Sequence, residues 1–211
     1  MDTIICIGRQ YGTGGREIGK QLAHDYDIPF YDKELLTRIA KESGFSEEMI
    51  AWHDEKPTSS FLYNLVMDTY SFGYNYSSVV DMPLSQKIFL AGFETIKKIA
   101  GEGPCVIVGR CADYALSDNE KMLSIFLHGP LEERMNRIME VYSMDDKSAK
   151  ENISKKDKQR QSYYNYYTSK KWGTVESYDL SINRFKYGME GTIKLIKDSV
   201  NEFESIRKRQ V

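Results

Sequence analysis

Short apolar runs alternate along this chain with longer stretches in which apolar residues return every three or four positions. Runs at 4–8, 28–31, 105–109, 123–127 and 178–182 are brief and rich in aliphatic or aromatic residues. Strands buried on both faces of a parallel sheet have that composition. Between the runs, Ile18, Leu22 and Tyr26 mark one helical stripe, and Leu35, Leu36, Ile39 and Ala40 a second. Phe89, Phe93, Ile96 and Ala100 mark a third, and Leu131, Met135, Ile138 and Tyr142 a fourth. Strands alternating with helices predict βαβ units, hence a three-layer α/β/α domain around a parallel sheet of about five strands. The last stripe, Met189, Ile193, Ile196, Val200 and Phe203, reads first as a closing helix packed on the sheet, with a short seam for a homodimer as the alternative. Two segments break the alternation. Residues 57–83 are rich in Ser, Tyr and Phe without a period, and residues 143–173 are polar, basic and full of tyrosine. Both read as excursions from a single domain over 1–211, where such folds place substrate contacts.

Composition narrows the class. Among 211 residues, 29 Lys and Arg face 31 Asp and Glu, for a formal charge of −2, so the surface as a whole is not built for a polyanion. A hydrophobic share of 41% argues against disorder. No apolar run approaches the roughly 18 residues of a membrane span, and the N-terminal residues lack the pattern of a secretion signal. Cys6, Cys105 and Cys111 form no CxxC, and the His residues pair with no Cys or Glu at ligand spacing, so no metal site is expected. These features predict a reduced, cytoplasmic protein.

The strongest local signal is Gly8-Arg-Gln-Tyr-Gly-Thr-Gly-Gly-Arg-Glu-Ile-Gly19, five glycines in twelve residues between a predicted strand and a predicted helix. Glycines let successive N–H groups turn inward around an anion, and the helix adds its positive end. Arg9, Gly12, Thr13, Gly14, Gly15 and Arg16 are the expected seat for donor phosphates. The lysine of the pattern G-x-x-x-x-G-K-[S/T] is missing: with Gly14 on the second glycine, Gly15 takes the lysine position. Arg16 is expected to supply the lost charge through a guanidinium fork. No Ser or Thr is in register for magnesium, and Thr13 is the nearest hydroxyl.

Four motifs in order along the chain, residues 9–18, Phe30-Tyr-Asp-Lys-Glu-Leu35, Val108-Gly-Arg-Cys-Ala-Asp113 and Lys171-Trp-Gly173, resemble the cytidylate kinase-like family, a branch of the P-loop nucleoside monophosphate kinases. The resemblance implies a P-loop kinase fold with an acceptor-side excursion near 54–84 and a lid near 143–173. It implies ATP as donor, Mg2+ as companion ion, and small nucleotides as partners. By the same resemblance Asp32, Arg110, Asp113, Asp157 and Arg160 would hold the acceptor, and Arg134 and Arg137 would close from the lid, making Arg16, Arg110, Arg134 and Arg137 the candidate catalytic residues. The residues support the placement on their own terms, because ligands of open parallel sheets bind outside the carboxyl ends of the strands, where Arg9, Asp32, Arg110 and Arg134 fall.

A rival reading comes from residues 147–171, where eight basic residues face two acidic ones with Tyr163, Tyr164, Tyr166 and Tyr167 interleaved. Charge with aromatic rings is how single-stranded nucleic acid is gripped. The expected function is phosphoryl transfer from ATP to a nucleoside monophosphate such as CMP. The alternatives are a nucleotide binder without turnover, because the lysine is absent, and a nucleic-acid module.

Overall fold

The computed structural model describes residues 1–55 and 82–210, which leaves most of the expected acceptor-side excursion, including the Tyr/Ser stretch at 59–78, outside the described residues. Five strands, β1 (Ile4–Arg9), β2 (Phe30–Tyr31), β3 (Val106–Val108), β4 (Met122–His128) and β5 (Leu180–Asn183), form one sheet in the order β2-β3-β1-β4-β5, every pairing parallel. β2 is shorter than the apolar run that predicted it. The Ile28 amide bonds back to Ala23 O at the end of a helix, and Pro29 has no N–H to give to a ladder.

Strand periodicity divides the core into two layers. Ile4 and Cys6 of β1, with Ile107 of β3, face Leu35 and Ile39 of α2 (Glu34–Ser43), Ile50 of α3 (Glu47–His53), and Ile88, Ile96 and Ile99 of α4 (Leu84–Glu102). The alternate residues, Ile5, Ile7, Val106 and Val108, face Ile18 and Leu22 of α1 (Gly15–Tyr26) and Ile196 and Val200 of the last helix, Arg184–Gln210. Consecutive side chains of one strand thus serve opposite faces, as the period of two requires. Ile196 and Val200 are 0% and 1% exposed, so their spacing is explained by burial on the sheet. Among the described residues no helix is long and apolar enough to cross a membrane.

The basic, tyrosine-rich stretch is mostly one helix. After the short α5 (Ala112–Ala115) and α6 (Leu131–Tyr142), α7 runs from Asp146 to Thr168, started by Asp145, which accepts from the Ser148 amide at 2.8 Å; the last helix is α8. Ala149 and Ile153 pack with Ile138 of α6, whereas Tyr164 and Tyr167 join Phe89, Phe126 and Tyr178 in an aromatic cluster. The two ends of α7 therefore serve different cores, which hides any single apolar stripe. Tyr167 stacks on Phe89 at 3.9 Å between centroids. Tyr164 and Tyr167 are core residues, so neither is free to stack on a base.

Within that cluster the Tyr164 hydroxyl donates to Asp113 at 2.6 Å. Burial raises the Asp113 carboxyl above its ordinary value, and the tyrosine hydrogen bond partly offsets the rise. A carboxyl raised in the folded state favours folding at low pH and loses that contribution as pH climbs through the raised value. Tyr164→Phe is therefore expected to destabilise the fold by about 1–3 kcal/mol at pH 7 and by less at pH 4. Denaturant melts at both pH values check this, and an equal loss at the two would refute the assignment.

Candidate functional site

β1 ends at Arg9 and α1 begins at Gly15, so residues 10–14 form the glycine loop. Gly14 takes a left-handed φ of 77° directly before the helix, and Gly12 one of 89° where a β-carbon would fall 3.0 Å from the Arg134 carbonyl oxygen. A side chain at Gly12 would meet both backbone strain and α6. Arg134 explains that closeness. It is 7% exposed, and its guanidinium donates to Gly129 O at 3.0 Å and Tyr11 O at 3.1 Å while pairing with Asp157 at 2.5 Å. The other Asp157 oxygen accepts from the Tyr11 amide at 2.7 Å. Arg134 and Asp157 thus engage the carbonyl and the amide of one loop residue, Tyr11. The resemblance placed Arg134 on the lid and Asp157 at the acceptor, but the fold sets both against the glycine loop. Arg137 is nearby, paired with Glu17 at 2.9 Å beside Gly14.

Two other expectations change. Arg16 does not lie over the loop in place of the missing lysine; its Nε is 2.8 Å from Asp32 and its Nη2 is 3.7 Å from Glu34. The Thr13 hydroxyl is fully buried and donates to Gln10 O at 2.8 Å, so it is not available as a magnesium ligand. Among the described residues no group of three or more His, Cys, Asp or Glu is arranged to hold a metal, and the carboxylates nearest the loop and the strand ends, Glu17, Asp32, Glu55 and Asp157, are each paired with arginine. This donor set does not fit a magnesium ion held by the protein.

The strand ends beside the loop do converge. After β3 the backbone takes three left-handed residues in a row, Gly109 (φ 79°), Arg110 (φ 55°) and Cys111 (φ 55°). Such a conformation costs a non-glycine residue about 1–2 kcal/mol. Strain at two side-chain-bearing residues is offset by the contacts that the turn gives their side chains. It carries Arg110 back across the sheet edge, 8% exposed in its side chain, to Asp32 O at 2.5 Å and the Asp32 carboxylate at 3.5 Å. Gly109 lies under the guanidinium of Arg9, where a β-carbon would overlap Nη1. Arg160, reaching in from α7, donates to Arg9 O at 3.2 Å.

Three largely covered guanidinium groups from three parts of the chain therefore meet at the carboxyl ends of β1 and β3. Asp54 spans Nε and Nη2 of Arg110 at 2.8 and 2.9 Å, and Glu55 lies between Arg9 at 3.0 Å and Arg160 at 3.3 Å. Burial alone would raise the Glu55 carboxyl, but Arg9, Arg160 and Arg110 outweigh it and hold the group far below the ordinary range. Burial and the neighbouring Arg9 lower Arg160, as expected where like charges are gathered out of water. Behind Arg110, Leu35, Ile39, Phe89 and Tyr163 line an apolar cleft that also reaches Asp54. Asp113, expected at the acceptor, borders the arginine cleft but is bonded to Tyr164. Cys111 is buried and its thiol is pushed up by desolvation, so it is no nucleophile. Sequence reasoning brought Arg9, Asp32, Arg110 and Arg160 to this place and missed Asp54 and Glu55. Their only signal was an acidic pair at the start of the acceptor-side excursion.

Comparison with known proteins bears on the family and the fold. The profile of the cytidylate kinase-like family matches residues 4–186. An uncharacterized protein from Eubacterium ventriosum ATCC 27560 has a similar crystal structure, with a TM-score of 0.73 and 32% identity over 96% of this chain and 99% of that one. Shikimate kinase from Bacteroides thetaiotaomicron shares the fold at a TM-score of 0.54 and 12% identity, over 95% of this chain and 99% of that one. A search of curated proteins finds no match.

Proposed function

Because the chain belongs to the cytidylate kinase-like family, we propose that it is a phosphotransferase passing a phosphoryl group from ATP to a nucleoside monophosphate such as CMP. The observation that carries this reading is the largely covered cluster of Arg9, Arg110 and Arg160 at the ends of β1 and β3, beside a glycine loop that opens a helix. Phosphoryl transfer needs reactants placed in line and charge neutralised on the moving oxygens, and fixed guanidinium groups in a dry cleft supply both. Arg110 is the candidate for holding the acceptor phosphate, with Asp32 orienting it from one side. An acceptor that is itself a phosphate has an anionic oxygen at neutral pH, so no general base is required. Asp157 and Arg134 would keep the loop in shape for the donor.

A second reading, nucleotide binding without transfer, is favoured by one observation. Gly15 stands where a lysine would reach the donor phosphates, and Arg16 points to Asp32 instead. ADP release measured with ATP and a panel of nucleoside monophosphates separates the two. ATP-dependent phosphorylation of at least one of them, CMP first, is the expected result. Saturable ATP binding with no turnover on any acceptor leaves the binder. Turnover on a sugar or shikimate hydroxyl alone would overturn the acceptor class.

A further inference from the structure

Asp54 and Glu55 play no part in the transfer just described, yet they occupy its centre. They are consecutive, follow α3, and each carboxylate sits in its own guanidinium setting: Asp54 in the fork of Arg110, Glu55 across Arg9 and Arg160. Two carboxylate oxygens in such a setting take the positions that two oxygens of a phosphoryl group would take. We propose that these are two adjoining phosphoryl seats, that Asp54 and Glu55 fill them when no ligand is bound, and that the ligand displacing them carries two phosphoryl groups. The inference rests on the phosphotransferase reading and narrows it, since an acceptor phosphate and the group being transferred form such a pair.

Three further observations point the same way. Glu55 holds a left-handed φ of 51°, a conformation that a non-glycine residue is freed from when it leaves. Asp32 is the third carboxylate here but is shared with Arg16, so Asp54 and Glu55 are the two carboxylates paired with Arg9, Arg110 and Arg160 alone. A ligand more highly charged than two carboxylates is favoured there. Asp54 is also the most exposed member of the cluster, with a quarter of its side chain open, so departure from the Arg110 fork is not blocked by overlying chain among the described residues.

Calorimetric titration of pyrophosphate into the full-length chain tests the idea, with orthophosphate as comparison. Asp54→Asn and Glu55→Gln each remove a competing anion and keep its shape. Each is expected to bind pyrophosphate about tenfold more tightly than the parent. The parent should itself prefer pyrophosphate to orthophosphate, and Arg110→Lys should weaken pyrophosphate binding. Pyrophosphate binding no tighter in either variant, with Arg110→Lys still weakened, overturns the displaced carboxylates and leaves the anion site. Indifference to Arg110→Lys removes the site along with them. The two acidic variants probe different seats, so failure of one to fold leaves the other as the test.

Discussion

Arg110→Lys is expected to lower kcat/KM for the nucleoside monophosphate by about 10²–10³-fold, the scale of losing one preorganised donor on a developing charge. An ammonium cannot reproduce the planar fork that spans Asp54 at 2.8 and 2.9 Å, nor reach Asp32 O at the same time. If Arg110 holds the acceptor phosphate before and during transfer, KM for the acceptor rises while KM for ATP stays near the parent value. The substitution keeps a positive charge beside Asp54 and Asp32, so the melting temperature should move far less than activity. A kcat/KM within threefold of the parent would remove Arg110 from the reaction.

The largest expected loss of stability belongs to Arg134→Met. Arg134 is buried, pairs with Asp157, and satisfies the carbonyls of Gly129 and Tyr11. Removing it leaves an uncompensated carboxylate and two carbonyls without their donor, a deletion that costs about 3–5 kcal/mol. For a chain of this length that corresponds to a fall in Tm of roughly 6–20 °C. The double variant Arg134→Met/Asp157→Asn should recover part of the loss, because the stranded charge goes with it. A single variant that melts within about 2 °C of the parent would show that the pair does not hold the loop.

These two arginines show how far a single sequence could be read. Both were marked by position after a strand, and both are buried and fully engaged. Their roles differ because of what lies across from them. Arg110 faces a cleft at the sheet edge, whereas Arg134 faces the peptide of Tyr11. Spacing along the chain carried no information about that, since Asp157 is 146 residues from Tyr11. Arg16 shows the same limit. Its place next to Gly15 suggested a substitute for lysine, but the first turn of α1 directs it to Asp32, and helical geometry rather than adjacency decides that.

The tyrosines of α7 show a second limit. Interleaved with lysines, they have the composition of a nucleic-acid surface. Tyr164 and Tyr167, three apart on one helical face, meet Phe89, Phe126 and Tyr178, which come from a different helix, a strand and the segment before β5. An aromatic ring reads the same in a sequence whether its partner is a base or another ring.

By itself the sequence determined the strands to within a few residues, the five helices with a clear apolar stripe, the layered parallel sheet and the glycine loop at the end of β1. Those are properties of local periodicity and of backbone freedom, and both are written in neighbouring residues. Tertiary structure alone decided which charges meet: that Asp54 and Glu55 sit among Arg9, Arg110 and Arg160, and that Asp157 and Arg134 hold the loop. Charge pairing acts through space over a few ångströms in a dry cleft, and its partners are chosen by how the layers pack rather than by their distance along the chain.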